Sequence, residues 1–403
     1  MSTRTTASYA RALRDADTFS IVHGGPLFQL LLRARLSGDA LDLVVRRVIL
    51  FVLISWAPLL ALSAFGGHLL DGNIALPFLL DIETHIRFLV VVPLLLLAEL
   101  VVHRRLLPVA RAFLDRDLIS EADEDRFDAA INSAFRLRNS VLVEVLLLVF
   151  VYVVGVLVVW RQYTSLNVST WYGQPAGEDF RLHSAGIWYA YVSLPIFQFL
   201  LLRWYFRIFI WIRFLWQVAR LNLTLVPTHP DQLAGLGFLG NTVFAFSVLL
   251  MAHGAMVASQ IANRIFFAGA TLMEFKEEIF VVLLFLLCLV FGPLLVFSPQ
   301  LSRAKRRGLL EYGSLAERYV REFDDKWLRG ARESGEPLMG SADIQSLADM
   351  GNSFTVVRSM RLAPISRDAV LELSAAVLVP LTPLLLTIMP VEQLVKRLLG
   401  LVF

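Results

Sequence analysis

"IFVVLLFLLCLVFGPLLVFSPQL", residues 279–301, carries no charged side chain over its 23 positions. A helix rises about 1.5 Å per residue, so this run is longer than the roughly 30 Å needed to cross the hydrocarbon core of a bilayer. Reading it as a membrane span decides the fold class.

Similar blocks lie on either side in the chain. Val48–Phe65, Val145–Trp160, Ile187–Leu202 and Leu233–Ile261 are charge-free, and Phe88–Ala98 extends Leu79–Ile82 across a short polar interruption. Hydrophobic residues make up 57% of the 403 positions and charged residues only 18%, against about half and a quarter in a soluble domain. Mean hydropathy is +0.65. The expected fold class is all-α: a polytopic helical membrane protein of six to seven spans with cytoplasmic helical insertions.

The spans are expected at about 48–66, 83–102, 141–160, 187–206, 238–263 and 279–301, giving a transmembrane core at 48–302. A cytoplasmic or interfacial N-terminal segment (1–47) precedes it. A cytoplasmic helical segment (303–368) and a kinked or re-entrant hydrophobic segment with an amphipathic tail (369–403) follow. Residues 1–47 hold seven Arg and no long apolar core near the start, so no cleavable signal peptide is expected. Lys and Arg in alternate loops total 29 against four, which places the N-terminus and 303–368 in the cytoplasm of, most simply, a bacterial inner membrane. The block Val370–Met389 contains Pro380 and Pro383 and reads as a kinked span or a re-entrant loop. Asn167, in an outer loop, opens an N-x-S triplet that is common by chance.

The helix signals in the loops are local. Ser120 and Asp123 have capping-box spacing, and Leu315, Tyr319, Phe323 and Trp327 step by four. "SADIQSLADM" reads as a capped short helix ending at Gly351. Ile187 to Leu223 reads as one unbroken helix too long for any bilayer. Its last third carries Arg213, Gln217 and Arg220 on one stripe, either in the interface plane or buried among other helices. Arg203 and Arg207 mark the cytoplasmic interface. Their irregular spacing with Arg213 and Arg220 does not suit a voltage sensor.

"PTHPDQLAGLGFLG", residues 227–240, matches G-x-G-x-x-G at Gly235, Gly237 and Gly240. It lacks the preceding strand and the acidic residue about twenty positions on that a dinucleotide site requires. The stretch reads instead as a helix start, with Pro230 at the first position and Asp231 in the first turn. Beyond it, Gly254, Ala255, Ala258 and Ser259 give small-xxx-small spacing, so span 5 is expected to be the most tightly packed helix.

Ionisable residues inside spans are functional candidates by default. Glu99, His103, Glu144, His229, Asp231 and His253 form the candidate polar path or inner-mouth site, with His85, Glu99 and His103 aligned on one face of span 2. Glu83, His85, Arg87, Arg264 and Glu278 form the candidate outer cluster, read most simply as ion pairs. No catalytic, cofactor or metal site is expected. The one cysteine, Cys288, excludes an internal disulfide and a cysteine-based metal site. Haem held by His85 and His253 is the disfavoured reading. The expected partners are the lipid bilayer, further copies of the chain in a homo-oligomer, and an unidentified small ion or solute; no nucleic acid is expected. The leading function is transport as an ion channel or secondary transporter. The alternatives are a non-transporting sensor or scaffold acting through 303–368, and an intramembrane redox protein or enzyme. No Walker, HExxH or nucleophile-elbow motif supports the last.

Overall fold

A computed structural model describes residues 16, 18–33, 41–70, 74–159, 169–176, 179–330 and 341–387. The described chain is mostly helical, with one two-stranded antiparallel hairpin. Six helices are long and apolar enough to cross a membrane: α2 (Leu43–Phe65), α3 (Ile82–Asp115), α6 (Ser184–Val218), α7 (Gly237–Ala268), α8 (Leu272–Trp327) and α10 (Arg367–Thr387). Four other helices join them: α1 (Pro26–Arg33), α4 (Glu124–Arg138), α5 (Val141–Gly155) and α9 (Ala342–Ser359). The span expected at 141–160 is α5. It is bent by 46° from α4, and the pair meets the same length and composition test only when taken together. Strands β1 (Gly173–Ala176) and β2 (Asp179–Leu182) close the end of the bundle opposite the arginine-rich loops. The two ends are called the hairpin end and the Arg-rich end below.

Proline shapes these helices without ending them. Pro93 and Pro195 each stand just after a π-helical stretch, Arg87–Val91 and Tyr189–Ser193. Pro293 opens a 3₁₀ stretch, Gly292–Phe297, and Pro380 and Pro383 lie in another, Val379–Thr387. A proline lacks the N–H for the i−4 bond and its ring crowds that carbonyl, so the winding loosens or tightens around it. The π-stretch in α3 also lies between His85 and Glu99. The 100° wheel that aligned His85, Glu99 and His103 on one face does not run unbroken through it, and the three residues meet different neighbours.

Packing is densest around α7, whose apolar window is 72% buried, the highest of the six. A Cβ at Gly254 would lie 2.1 Å from the Val377 carbonyl oxygen. Only glycine therefore lets the backbones of α7 and α10 approach this closely, as small-residue spacing predicts.

Several local expectations are corrected. Ser120 makes no cap, because Asp123 is engaged elsewhere, by Arg126 and by the Asn222 N–H. The 279–301 span and the 310–328 piece form one continuous rod, α8. Helix α9 is capped by Ser341 as read, but it continues past Gly351 to Ser359. It folds back on α8, where Asp343 accepts from Lys326 Nζ (2.7 Å) and Trp327 Nε1 (3.0 Å). Asn167, the linker at 331–340 and the tail beyond 387 lie outside the described residues.

The 227–240 stretch is also corrected. Residues 227–236 are turns, and helical winding begins only at Gly237. Asp231 is not in a first helical turn. Its carboxylate accepts N–H bonds from Leu233 (2.8 Å), Gly235 (3.2 Å) and Gly237 (2.8 Å), with Gln232, Ala234 and Gly235 at positive φ. Two of the amides in the glycine pattern do cradle an anion, but it is the chain's own carboxylate. Burial pushes the Asp231 carboxyl up, yet the three amides and His229, 2.9 Å away, outweigh this and hold it below the ordinary value.

Candidate functional site

The sequence places Glu99 on α3, Arg47 on α2 and Arg203 and Arg207 on α6 at similar depth, toward the Arg-rich end. The fold brings them together. Glu99 Oε1 lies 2.6 Å from Arg207 Nη1 and 3.3 Å from Arg203 Nη1, and Oε2 lies 2.8 Å from Arg47 Nη1. Arg203 Nε also reaches Glu144 Oε1 on α5, at 3.3 Å. Arg47, Glu99, Arg203 and Arg207 are all no more than 5% exposed. Three guanidiniums thus share two carboxylates, which leaves an excess of positive charge inside the bundle. Such charges are costly unless each donor and acceptor is used.

The chain supplies the remaining partners from its own N-terminal segment. Ser20, Val22 and Gly24, alternate residues of residues 18–25, turn their carbonyls to three arginines. Arg138 Nη1 donates to Ser20 O (2.6 Å), Arg207 Nη2 to Val22 O (3.4 Å) and Arg203 Nη2 to Gly24 O (3.4 Å). In return, Leu27 N donates to Glu144 Oε2 (2.8 Å) and Gly25 N to Asn139 Oδ1 (3.0 Å). Phe19 anchors the segment apolarly, its ring 4.5 Å from that of Phe214. Gly24 and Gly25 have φ of 151° and 91°. A Cβ at Gly25 would lie 2.9 Å from both Arg138 O and Glu144 Oε1, so the seat admits only glycine. One donor in the cluster is left over: the buried Arg47 Nε has no hydrogen-bond partner among the described residues.

The other candidates separate. His103 joins the segment, with Nδ1 3.0 Å from Ser20 Oγ and its ring stacked on His23 at 3.6 Å. His229 and Asp231 stay in the 227–236 turn. His253 sits alone on α7: its Nδ1 donates to Leu249 O at 2.8 Å, so its Nε2 accepts from Tyr205 Oη at 2.9 Å. The outer cluster is not one cluster. Glu83 pairs with Arg87, which also donates to Tyr189. His85 Nδ1 accepts from Trp56 Nε1 at 3.0 Å. Arg264 and Glu278 face each other at 3.8 Å on the surface. The two histidines of the haem reading therefore serve other partners. Among the described residues no group of three or more His, Cys, Asp or Glu is placed to hold a metal ion.

The sequence reading missed three participants. Arg203 and Arg207 read as interface markers and Arg47 only as one of the arginines of the N-terminal segment, although their depth matches that of Glu99. The N-terminal segment was read as lying outside the core, yet Phe19, Ile21 and Val22 are buried. Asp81 is a second buried hub, at the hairpin end, accepting from Thr84 Oγ1 (2.6 Å), Trp171 Nε1 (2.9 Å) and Asn263 Nδ2 (2.9 Å). Its signal was its place three residues before Thr84 at a helix start. Comparison with known protein families, curated proteins and solved structures finds no match to this chain.

Proposed function

We propose that this chain is an integral membrane protein that moves a small anion across the bilayer, as a channel or secondary transporter. In this reading Arg47, Arg203 and Arg207 face the anion, and residues 18–25 plug the Arg-rich end. By the charge rule that end is cytoplasmic, in a bacterial inner membrane. One observation carries the proposal: buried guanidiniums outnumber the carboxylates beside them, and part of their donor capacity is spent on backbone carbonyls of residues 18–25. The oxygens of an anion can replace those carbonyls donor for donor. The apolar outer faces of α5 and α8, such as Leu142, Phe150, Phe280 and Phe285, fit lipid or a second copy of the chain.

The test is flux in liposomes loaded with chloride, nitrate or phosphate, with potassium flux as the control. Gly25→Ala removes no charged group and displaces the plug by crowding Arg138 O and Glu144 Oε1, so it is expected to raise anion flux. Arg203→Gln and Arg207→Gln, checked for folding by gel filtration, are expected to lower the preference for anions over cations. Cation-selective flux, or no flux from both wild type and Gly25→Ala, would reject the reading.

A second reading keeps one specific observation. The α8/α9 hairpin exposes Leu310, Leu315, Val320, Leu328 and Ile344, which suits a sensor or scaffold that docks a protein there. Capture of one defined partner by the full chain, abolished by Leu310→Asp with Val320→Asp, would favour it over transport.

A further inference from the structure

A second arginine-rich place lies farther along α6, and among the described residues only one of its four arginines, Arg126, has an acid partner. Helix α4 and the last turns of α6 run antiparallel. Asp123 meets Asn222 at one end, Ser133 meets Arg213 in the middle, and Glu144, just beyond α4, meets Arg203 at the other end. Between them opens a cleft of about 440 Å³. One face of α4 contributes Arg126 and Arg136, with Ala129, Ala130 and Ser133 leaving the space. One face of α6 contributes Arg213, Trp216 and Gln217, and Arg220 follows at its end. The spacing of three and four residues on each helix is what turns these side chains toward one another.

The charge is one-sided. Asp123 pairs with Arg126 at 2.7 Å, and its other oxygen accepts the Asn222 N–H. No carboxylate is among the residues lining the cleft. Arg213 Nη1 donates to Ser133 Oγ at 3.2 Å, a neutral partner that leaves its charge uncompensated. Arg220 lies 3.5 Å over the Trp216 ring and has no acid partner among the described residues. Mutual repulsion of these guanidiniums makes the empty cleft unfavourable and an anion there favourable.

The depth and walls identify the anion. Counting from Ser184, residues 213–218 lie roughly 44–51 Å along α6 at 1.5 Å per residue. That is beyond a hydrocarbon core of about 30 Å and at the outer limit of the headgroup layers, about 40–45 Å in all. Trp216 is exposed at this level and Phe209 about two turns nearer the bundle centre, the arrangement that aromatic residues adopt at an interface. A cleft whose two walls each combine apolar groups with guanidiniums, alanines with Arg136 on α4 and an indole with Arg213 on α6, suits an amphipathic anion anchored in the membrane. A fully hydrated solute would leave the apolar wall unmet. We propose that the cleft between α4 and α6 binds the phosphate headgroup of an anionic phospholipid from the leaflet at the Arg-rich end, with Arg136, Arg213 and Arg220 supplying charge-assisted hydrogen bonds. The proposal does not depend on what, if anything, the bundle transports.

The experiment uses the full purified chain in an uncharged detergent. Retention of added dioleoyl phosphatidylglycerol is measured by native mass spectrometry, and the melting temperature is followed alongside. Dioleoyl phosphatidylcholine and millimolar inorganic phosphate serve as the other two arms. The expected result is retention and thermal protection by phosphatidylglycerol alone. In Arg213→Ala with Arg220→Ala its affinity is expected to be lower by about tenfold or more. Arg111→Ala, on an exposed turn of α3, is expected to match wild type. Should the double variant melt early without lipid, Arg136→Gln is read instead and must show a weakening of the same sign. Three results overturn the proposal: equal retention of phosphatidylcholine, unchanged phosphatidylglycerol affinity in the folded variants, or equal protection by inorganic phosphate. The last would make the cleft a site for a soluble phosphate.

Discussion

One helix carries two arginine pairs that meet opposite fates. Arg203 and Arg207 on α6 are buried, bonded to Glu99 and further held by carbonyls of the N-terminal segment. Arg213 is half-buried and Arg220, just past the helix end, is exposed; both border an open cleft without an acid. The residue type is the same, and the first pair is only about three turns from the second. What differs is the surroundings. At the depth of Arg203 the protein closes the guanidiniums off from solvent, so their donors turn to protein partners, and the chain folds residues 18–25 back to provide several of them. Arg220 is open to solvent, so its charge can remain uncompensated by protein. A buried cluster is therefore one whose donors the chain itself occupies, open to a ligand only where residues 18–25 withdraw, and an open one is free for a ligand as it stands.

The sharpest way to break this contrast is to remove Glu99. Glu99→Gln takes the shared counter-charge from three buried guanidiniums and turns one accepting oxygen into a donor, and deleting one partner of a buried ion network costs about 3–5 kcal/mol. The expected outcome is a large drop in the melting temperature and protease cutting within residues 18–33. Adding Arg207→Gln is expected to restore part of the loss, because it removes one of the stranded charges. If Glu99→Gln melts like wild type, the cluster is not structurally committed and the contrast fails.

Asp231 sharpens it from another side, as a carboxylate held by amides instead of guanidiniums. Asp231→Asn is expected to destabilise the 227–240 turn by about 1.5–3 kcal/mol, the range for hydrogen bonds to a charged group. Amide exchange at Gly235 and Gly237 reports it. The folded carboxyl lies below its ordinary value, so its contribution is fully present above the unfolded value near ~4 and is lost as pH falls through the lowered one. Protection of those two amides should hold from neutral pH down to about 4 and fade on further acidification, whereas Asp231→Asn should show no such step. A loss of protection already near neutral pH would overturn this account of the turn.

Much of the fold was legible because long apolar runs have only one solution in lipid. The run at 279–301 alone implied the class, and Gly254 with its neighbours implied the tight helix. Individual side chains of the site were legible, but their partnerships were not. Glu99 and Glu144 were picked out by being charged within apolar runs, yet a wheel treats a helix as uniform, and the π-stretch at Arg87–Val91 breaks that assumption. The plug was illegible for a different reason. Phe19, Ile21 and Val22 form too short an apolar run to register, and their burial depends on a contact with α6 that is 185 residues away in sequence for Val22 and Arg207. The 227–240 stretch misled because Pro230 and Asp231 suit a helix start and an aspartate-centred turn equally. Only the positive φ of Gln232 and Ala234, rare for such residues, separates the two.

The smallest expected effect concerns the open pair. Arg213→Ala gives up one hydrogen bond to Ser133, and Arg220→Ala gives up an exposed contact over Trp216, a type of interaction amounting to about 0.5–1 kcal/mol. Removing either also relieves repulsion within the cleft, which offsets part of that loss. In an uncharged detergent both variants should therefore melt close to wild type, each destabilised by about 1 kcal/mol or less. The check is thermal denaturation side by side with Glu99→Gln, in the same detergent and without added lipid. Two arginines on the same helix as Arg203 and Arg207 would then be nearly dispensable to the fold, because water completes their hydrogen bonds. A drop as large as that of Glu99→Gln would show instead that the cleft is part of the packed core, and depth along α6 would no longer explain the difference between the pairs.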